Sequence, residues 1–338
     1  MPTTFDTHTL ETTAQEMTAA GKGILAADES TGTITKRLAA VGVESTEPNR
    51  RAYRELLFTA PGLGEHIAGV ILFDETIRQS TADGHPFPEV LHKQGVVAGI
   101  KVDRGTVPLA GFPGETVTEG IDGLRPRLGE YRELGARFAK WRAVIHVGSS
   151  IPTSAGIEAN AHLLAQYTAL CQEAGLVPIV EPEVLMDGDH TLARCEEVTS
   201  AVLGTVFRRL VEARVHLEGM ILKPNMVLPG AKCPDQATPD EIAEATVRTM
   251  RRFVPAAVPG IAFLSGGQTE EQATRNLAAV NAAAAAAPWA LTFSYGRALQ
   301  KSVLRAWRGA PENAAEAQRI LLDRARADGL AREGTYTR

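Results

Sequence analysis

EGMILKPNMV, residues 218–227, is an apolar run that ends in a lysine: Met220, Ile221 and Leu222 lead directly into Lys223 and Pro224. An ammonium group taken from water into an apolar wall is driven to give up its proton, because burial disfavours the charged form. The neutral amine that remains is a nucleophile. Pro224 lacks a backbone N–H and halts regular pairing, which puts Lys223 at the C-terminal lip of a buried strand. A lone lysine there more often threads its stem along the wall and keeps its head in water. The segments around it therefore decide the reading.

Runs of this kind occur eight times: GILAADES (23–30), GVILFDE (69–75), VVAGIKVD (96–103), KWRAVIHV (140–147), VPIVEPE (177–183), GMILKPN (219–225), GIAFLSGG (260–267) and WALTFSYG (289–296). They recur roughly every 30 to 45 residues, the pace of a strand followed by a helix, and predict an α/β fold of the (β/α)8 TIM-barrel type. The segments between them read as helices. Leu163, Leu164, Tyr167, Leu170 and Cys171 form one stripe that stops at Gly175. Thr238-Pro239-Asp240-Glu241 is a capping box, Thr269 and Gln272 form another, and the alanine tract 282–287 favours helix. Leu10, Ala14 and Met17 give a short lead-in helix. No GxGxxG follows the first run, which argues against an open dinucleotide-binding sheet, and no linker divides the chain, so residues 1–338 read as one domain.

The 338 residues are 44% hydrophobic and 22% charged with a net charge of -5, and acids and bases are interspersed. Neither a nucleic-acid partner nor an anionic membrane is indicated, and no apolar run reaches the length of a membrane span. Cys171, Cys195 and Cys233 have no zinc spacing, no HxH or HExxH occurs, and the N-terminus does not read as a signal peptide. A cytoplasmic, metal-free protein is expected.

Polar residues cluster where the runs end. Residues two apart on a strand share a face, about 6.6 Å from one another. Lys101 pairs in this way with Asp103, Lys140 with Arg142, and Glu181 with Glu183, while Asp28, Lys223, Ser265, Ser294 and Arg297 end other runs. Charge at so many inward positions is poor for stability and points to a site. Ser265-Gly266-Gly267 and Ser294-Tyr295-Gly296-Arg297 offer backbone donors and a guanidinium to one phosphate. Ser30, Thr33, Lys101 and Arg142 form a second anion locus, so a substrate with phosphate at both ends is expected. Repulsion from a neighbouring Lys140 favours the neutral amine at Lys223, and nearby carboxylates oppose it. Glu181, beside Glu183, is expected to keep a proton through like-charge coupling and to act as general acid and base.

In order, GKGILAADESTG, GIKVDRG, AKWRAVI, VPIVEPEVLMDGDH, EGMILKPNMV, GIAFLSGGQ and PWALTFSYGRALQ resemble the signature segments of class I fructose-bisphosphate aldolases, over roughly residues 10 to 336. The resemblance implies a (β/α)8 barrel, no metal or other cofactor, and reversible cleavage of fructose 1,6-bisphosphate to dihydroxyacetone phosphate and glyceraldehyde 3-phosphate. Fructose 1-phosphate or sedoheptulose 1,7-bisphosphate is the alternative substrate, and a homo-oligomer, a tetramer first, is the expected assembly. It further implies that Lys223 forms the Schiff base, that Asp28 takes the C4 hydroxyl proton, and that Glu181 moves protons during dehydration. Lys140 would stabilise charge and Glu183 tune the pair. Ser265, Gly266, Gly296 and Arg297 match the C1-phosphate site, and Ser30, Thr33, Lys101 and Arg142 the C6-phosphate side. Thr33 stands where many members have serine and keeps the hydroxyl. GTYTR at 334–338 resembles the stretch after which animal-type members continue into a mobile tail ending in tyrosine; the chain stops there, and Tyr336 is not assigned that tyrosine's part.

Overall fold

The computed structural model describes residues 6–337. Eight parallel strands close a barrel: β1 (Gly23–Ala26), β2 (Ile67–Leu72), β3 (Val97–Lys101), β4 (Phe138–Ile145), β5 (Val177–Val184), β6 (Ile221–Leu222), β7 (Gly260–Phe263) and β8 (Ala290–Tyr295). Each strand pairs with its neighbours in the chain, and β8 closes on β1 with Ile24 opposite Ser294. All eight strands fall within the eight apolar runs or directly beside them. A hairpin of Thr106–Pro108 with Thr116–Thr118, inside the β3–β4 connection, has no counterpart in the sequence reading, since three-residue strands are too short to show a period.

Alternation along the strands separates two cores. Ile24, Ile71, Val97, Phe138, Val177, Ile179, Ile221 and Ala262 point inward and form a cluster of their own. Leu25, Val70, Ile100, Val180, Leu222, Ile261 and Phe293 face outward into the larger core shared with the helices. The lead-in helix Thr7–Met17 adds Leu10, Ala14 and Met17 to the inner cluster and plugs the N-terminal end of the barrel. Phe138 fills that end because its neighbours give way: a Cβ on Gly99 would lie 2.2 Å from its ring. An apolar floor therefore lies beneath the charged residues on the same strands.

Both capping boxes form, Thr238 with Glu241 and Thr269 with Gln272. The predicted stripe lies on a longer helix, Ser154–Glu173, capped by Thr153. The alanine tract departs from expectation. The helix ends at Ala283, and Ala286 takes a φ of 59°. The chain must reverse there to bring Ala290 into β8, and that tertiary demand overrides the helix preference of alanine.

Candidate active site

Lys223 follows directly after β6, and its backbone N–H donates to the Val180 carbonyl of β5 at 2.8 Å. The sheet register extends one bond past the strand and fixes the lysine at the barrel mouth. Lys223 is 3% exposed. In β4 the inward series runs Phe138, Lys140, Arg142, and in β5 it runs Val177, Ile179, Glu181, Glu183, with Arg142 opposite Glu181 in register. The period of two thus carries each strand from an apolar floor to a charged rim.

Glu181 lies between two ammonium groups. Its Oε1 is 3.1 Å from Lys223 Nζ and its Oε2 3.1 Å from Lys140 Nζ. Lys140 also contacts Asp28 Oδ2 at 2.8 Å. Burial alone would raise the Asp28 pKa, but the charges of Lys140 and Lys223 outweigh it and hold the carboxyl well below the usual carboxylate range. Glu181 follows the same logic: burial raises, Lys140, Lys223 and Arg142 lower, and the net direction is down. Burial would lower Lys140, and Asp28 and Glu181 more than reverse that, so its pKa is raised.

The proton expected on Glu181 is therefore misplaced. Like-charge coupling to Glu183 does not govern it, because Glu183 is paired with Arg142 Nε while Glu181 faces two lysines. The two glutamates share a strand face but have different partners.

Asp28, Ser30, Thr33, Lys101, Lys140, Arg142, Glu181, Glu183, Lys223, Ser265, Gly266, Gly296 and Arg297 all line one cavity of about 400 Å³. At its one side, the Ser30 and Thr33 hydroxyls lie 3.3 Å apart at the start of helix Thr31–Ala39, and Lys101 Nζ meets Asp103 Oδ1 at 2.8 Å. At the other, Arg297 opens helix Arg297–Trp307 with Gly296 as its N-cap. Ser265-Gly266-Gly267 leads into the helix Glu270–Ala283, capped by Thr269 as the sequence predicts. Glycine is required in that loop: a Cβ on Gly266 would lie 2.9 Å from Glu183 Oε1, and Gly267, at φ 77°, faces Met186. Arg142, paired with Glu183, also lines an adjoining cleft with Gly266, Gly267, Arg297 and Lys301.

Arg37 and Glu29 line the cavity and were missed. Arg37 sits on a helix whose amphipathic pattern gives no sign of a cavity, and Glu29 reads as the outward neighbour of Asp28. Ser294, which opens the Ser294–Arg297 loop, is 1% exposed, and its hydroxyl has no partner. Tyr336 is half-buried against the outer core and does not line the cavity. Among the described residues no cluster of His, Cys, Asp and Glu could hold a metal ion, and no helix is long and apolar enough to cross a membrane.

Residues 9–338 match the family model for fructose-bisphosphate aldolase class-I. The chain belongs to the class I fructose-bisphosphate aldolase family. The aldolase is a carbon–carbon lyase that reversibly cleaves fructose 1,6-bisphosphate to dihydroxyacetone phosphate and glyceraldehyde 3-phosphate through a lysine Schiff base. It is 56% identical over 325 residues to the cytosolic fructose-bisphosphate aldolase 5 of Arabidopsis thaliana, covering 96% of this chain and 90% of that one. To the fructose-bisphosphate aldolase C of Carassius auratus it is 53% identical over 335 residues, covering 99% and 92%. A solved fructose-bisphosphate aldolase from Plasmodium falciparum superposes with a TM-score of 0.96 at 50% identity, covering 98% of this chain and 96% of that one.

Proposed function

We propose that Lys223 is the Schiff-base lysine of this aldolase, with Glu181 as its proton partner and Asp28 as the base for bond cleavage. The observation that carries this reading is the position of Glu181, with one carboxylate oxygen 3.1 Å from each of Lys223 Nζ and Lys140 Nζ. A carboxylate in contact with the nucleophile can take its proton as the amine attacks the substrate C2 carbonyl, and can return it to the departing hydroxyl as the carbinolamine dehydrates. Lys140 stays cationic through those steps and offsets the charge that develops on oxygen. Asp28, ionised beside Lys140, accepts the C4 hydroxyl proton. The C3–C4 bonding electrons then pass into the iminium to give an enamine, and the aldehyde leaves.

Ser265, Gly266, Gly296 and Arg297 hold the 1-phosphate, and Ser30, Thr33, Lys101 and Arg142 the 6-phosphate. Arg142 serves there by exchanging Glu183 for phosphate, and Glu183 thereby tunes the site. The chain acts as a single (β/α)8 domain in a homo-oligomer, a tetramer, in the cytoplasm; the cytosolic relative from Arabidopsis supports the location. Borohydride reduction in the presence of dihydroxyacetone phosphate, followed by peptide mapping, tests the central assignment. The adduct is expected on Lys223; label on Lys101 or Lys140 would overturn it.

A further inference from the structure

Behind the end of β1 lies a buried polar network that the reaction as described does not use. Glu29, next in sequence to Asp28, is 7% exposed and answers two guanidinium groups: Arg37 Nη1 pairs with Oε1, and Arg54 Nη2 lies 2.6 Å from Oε2. Gln300 Nε2 donates to Glu29 Oε1 at 3.0 Å and to the Ala26 carbonyl at 2.8 Å. The Tyr53 hydroxyl donates to Gln300 Oε1 at 3.0 Å, which fixes the orientation of that amide. Tyr53, Arg54 and Gln300 are all within 2% of full burial.

The network joins β1 to three helices: Thr31–Ala39 through Arg37, Glu47–Phe58 through Tyr53 and Arg54, and Arg297–Trp307 through Gln300. That last helix opens at the Gly296–Arg297 phosphate locus. Arg37 reaches the same place: a Cβ on Gly296 would lie 4.0 Å from Arg37 Nη2 and 3.2 Å from the Ala26 carbonyl. Two guanidinium groups against one carboxylate leave a positive charge over, in a poorly solvated region facing the phosphate locus.

We propose that Glu29 is a positioning residue for the reaction: clamped by Arg54 and Gln300, it fixes Arg37 against the Gly296–Arg297 phosphate locus. The function rests on the phosphate assignment given above. A swinging arginine would lose side-chain entropy each time an anion bound; one held by a buried carboxylate has already lost it. Two donors on Oε1 and the Arg54 charge beside Oε2 hold the Glu29 carboxylate in place, so Arg37 is presented in a fixed orientation.

The test is a double-mutant cycle on the full chain, with steady-state constants for the bisphosphate, competitive inhibition by inorganic phosphate, and thermal midpoints. Glu29→Gln is expected to raise KM and the phosphate inhibition constant about tenfold while kcat changes less than threefold. Borohydride labelling of Lys223 at saturating dihydroxyacetone phosphate should be retained. In an Arg37→Ala background the same substitution should add less than twofold, because the two residues act as a unit. Should Glu29→Gln fail to fold, Tyr53→Phe and Gln300→Met ask the same question more gently, each with a two- to fivefold rise in KM. A lowered thermal midpoint with KM unchanged would overturn the proposal, as would effects of Glu29→Gln and Arg37→Ala that multiply independently. Failure of Lys223 labelling in the unsubstituted enzyme would instead count against the catalytic assignment, since the phosphate inhibition constant in the Glu29 cycle does not depend on which lysine forms the Schiff base.

Discussion

Asp28 and Asp328 are both buried aspartates, 9% and 0% exposed, and their surroundings push them in opposite directions. At the barrel mouth, burial raises Asp28, but Lys140 at 2.8 Å and Lys223 beyond it hold the carboxyl well below its ordinary range. On the C-terminal helix Ala314–Arg332, burial pushes Asp328 up to about 7, against one hydrogen bond from the Thr274 hydroxyl at 2.5 Å and the charge of Arg324. Arg324 spends a donor on the Glu270 carbonyl and another on the Thr274 hydroxyl, Glu270 itself opposes ionisation of Asp328, and the second Asp328 oxygen has no partner. Burial of a carboxyl thus has two outcomes, set by whether cations come with it. The mouth holds Asp28 and Glu181 toward the ionised form, and the outer layer holds Asp328 toward the neutral one.

The comparison breaks most sharply at Lys223. Lys223→Met should lower turnover by about 10⁴-fold or more and abolish borohydride labelling, while the thermal midpoint moves by only a few degrees. Glu181 and Asp28 would still share Lys140, so the fold keeps a cation for both acids. A collapse in stability equal to the loss of activity would mean that the mouth charges are structural.

Asp328→Asn tests the other side. Between about pH 4, where an unfolded aspartate titrates, and about pH 7, the unfolded chain releases this proton and the folded protein retains it. Stability of the parent enzyme should therefore fall as pH rises through that window, and the asparagine variant should lack that component of the slope. Above pH 7 the variant should be more stable, by an amount on the order of a few kcal/mol, with activity unchanged. Denaturant titrations at pH 5 and pH 8 give both numbers. Asp28 has the opposite sign: its stabilisation is present above about pH 4 and is lost as pH falls.

Arg142→Ala should cost about 1.5 to 3 kcal/mol in kcat/KM for the bisphosphate and less for fructose 1-phosphate, whereas Arg297→Ala should harm both. The cleft that Arg142 shares with Gly266 and Arg297 makes this comparison informative, because equal losses would place Arg142 at the 1-phosphate. The smallest effect belongs to Thr274→Val. It removes a hydroxyl that lowers the Asp328 pKa, so the falling limb of the stability curve should extend to higher pH, at a cost of about 1 kcal/mol.

The sequence by itself determined the barrel and most of the residues at its mouth, Glu29 and Arg37 excepted. Eight apolar runs ending in polar residues leave few alternatives to a closed parallel sheet, and a period of two then forces Lys140, Arg142, Glu181 and Glu183 to the inside. Every residue assigned from the sequence lines the one cavity; strand alternation, run ends and glycine loops, all local signals, marked most of them, and the family resemblance added Ser30 and Thr33 at the start of the helix after β1. What only the tertiary structure decided is which charge answers which. Glu181 and Glu183 look equivalent along β5, but closure of the barrel sets one between Lys140 and Lys223 and the other against Arg142. Arg37, Arg54 and Gln300 lie on three separate helices, and nothing in their own segments marks them; they meet at Glu29 only because those helices pack around the end of β1. The end of the alanine tract was decided in the same way, by where β8 must begin. Local pattern sets which face a side chain takes, whereas the partner across a gap depends on distances between segments far apart in the chain, and those exist only once the barrel has closed.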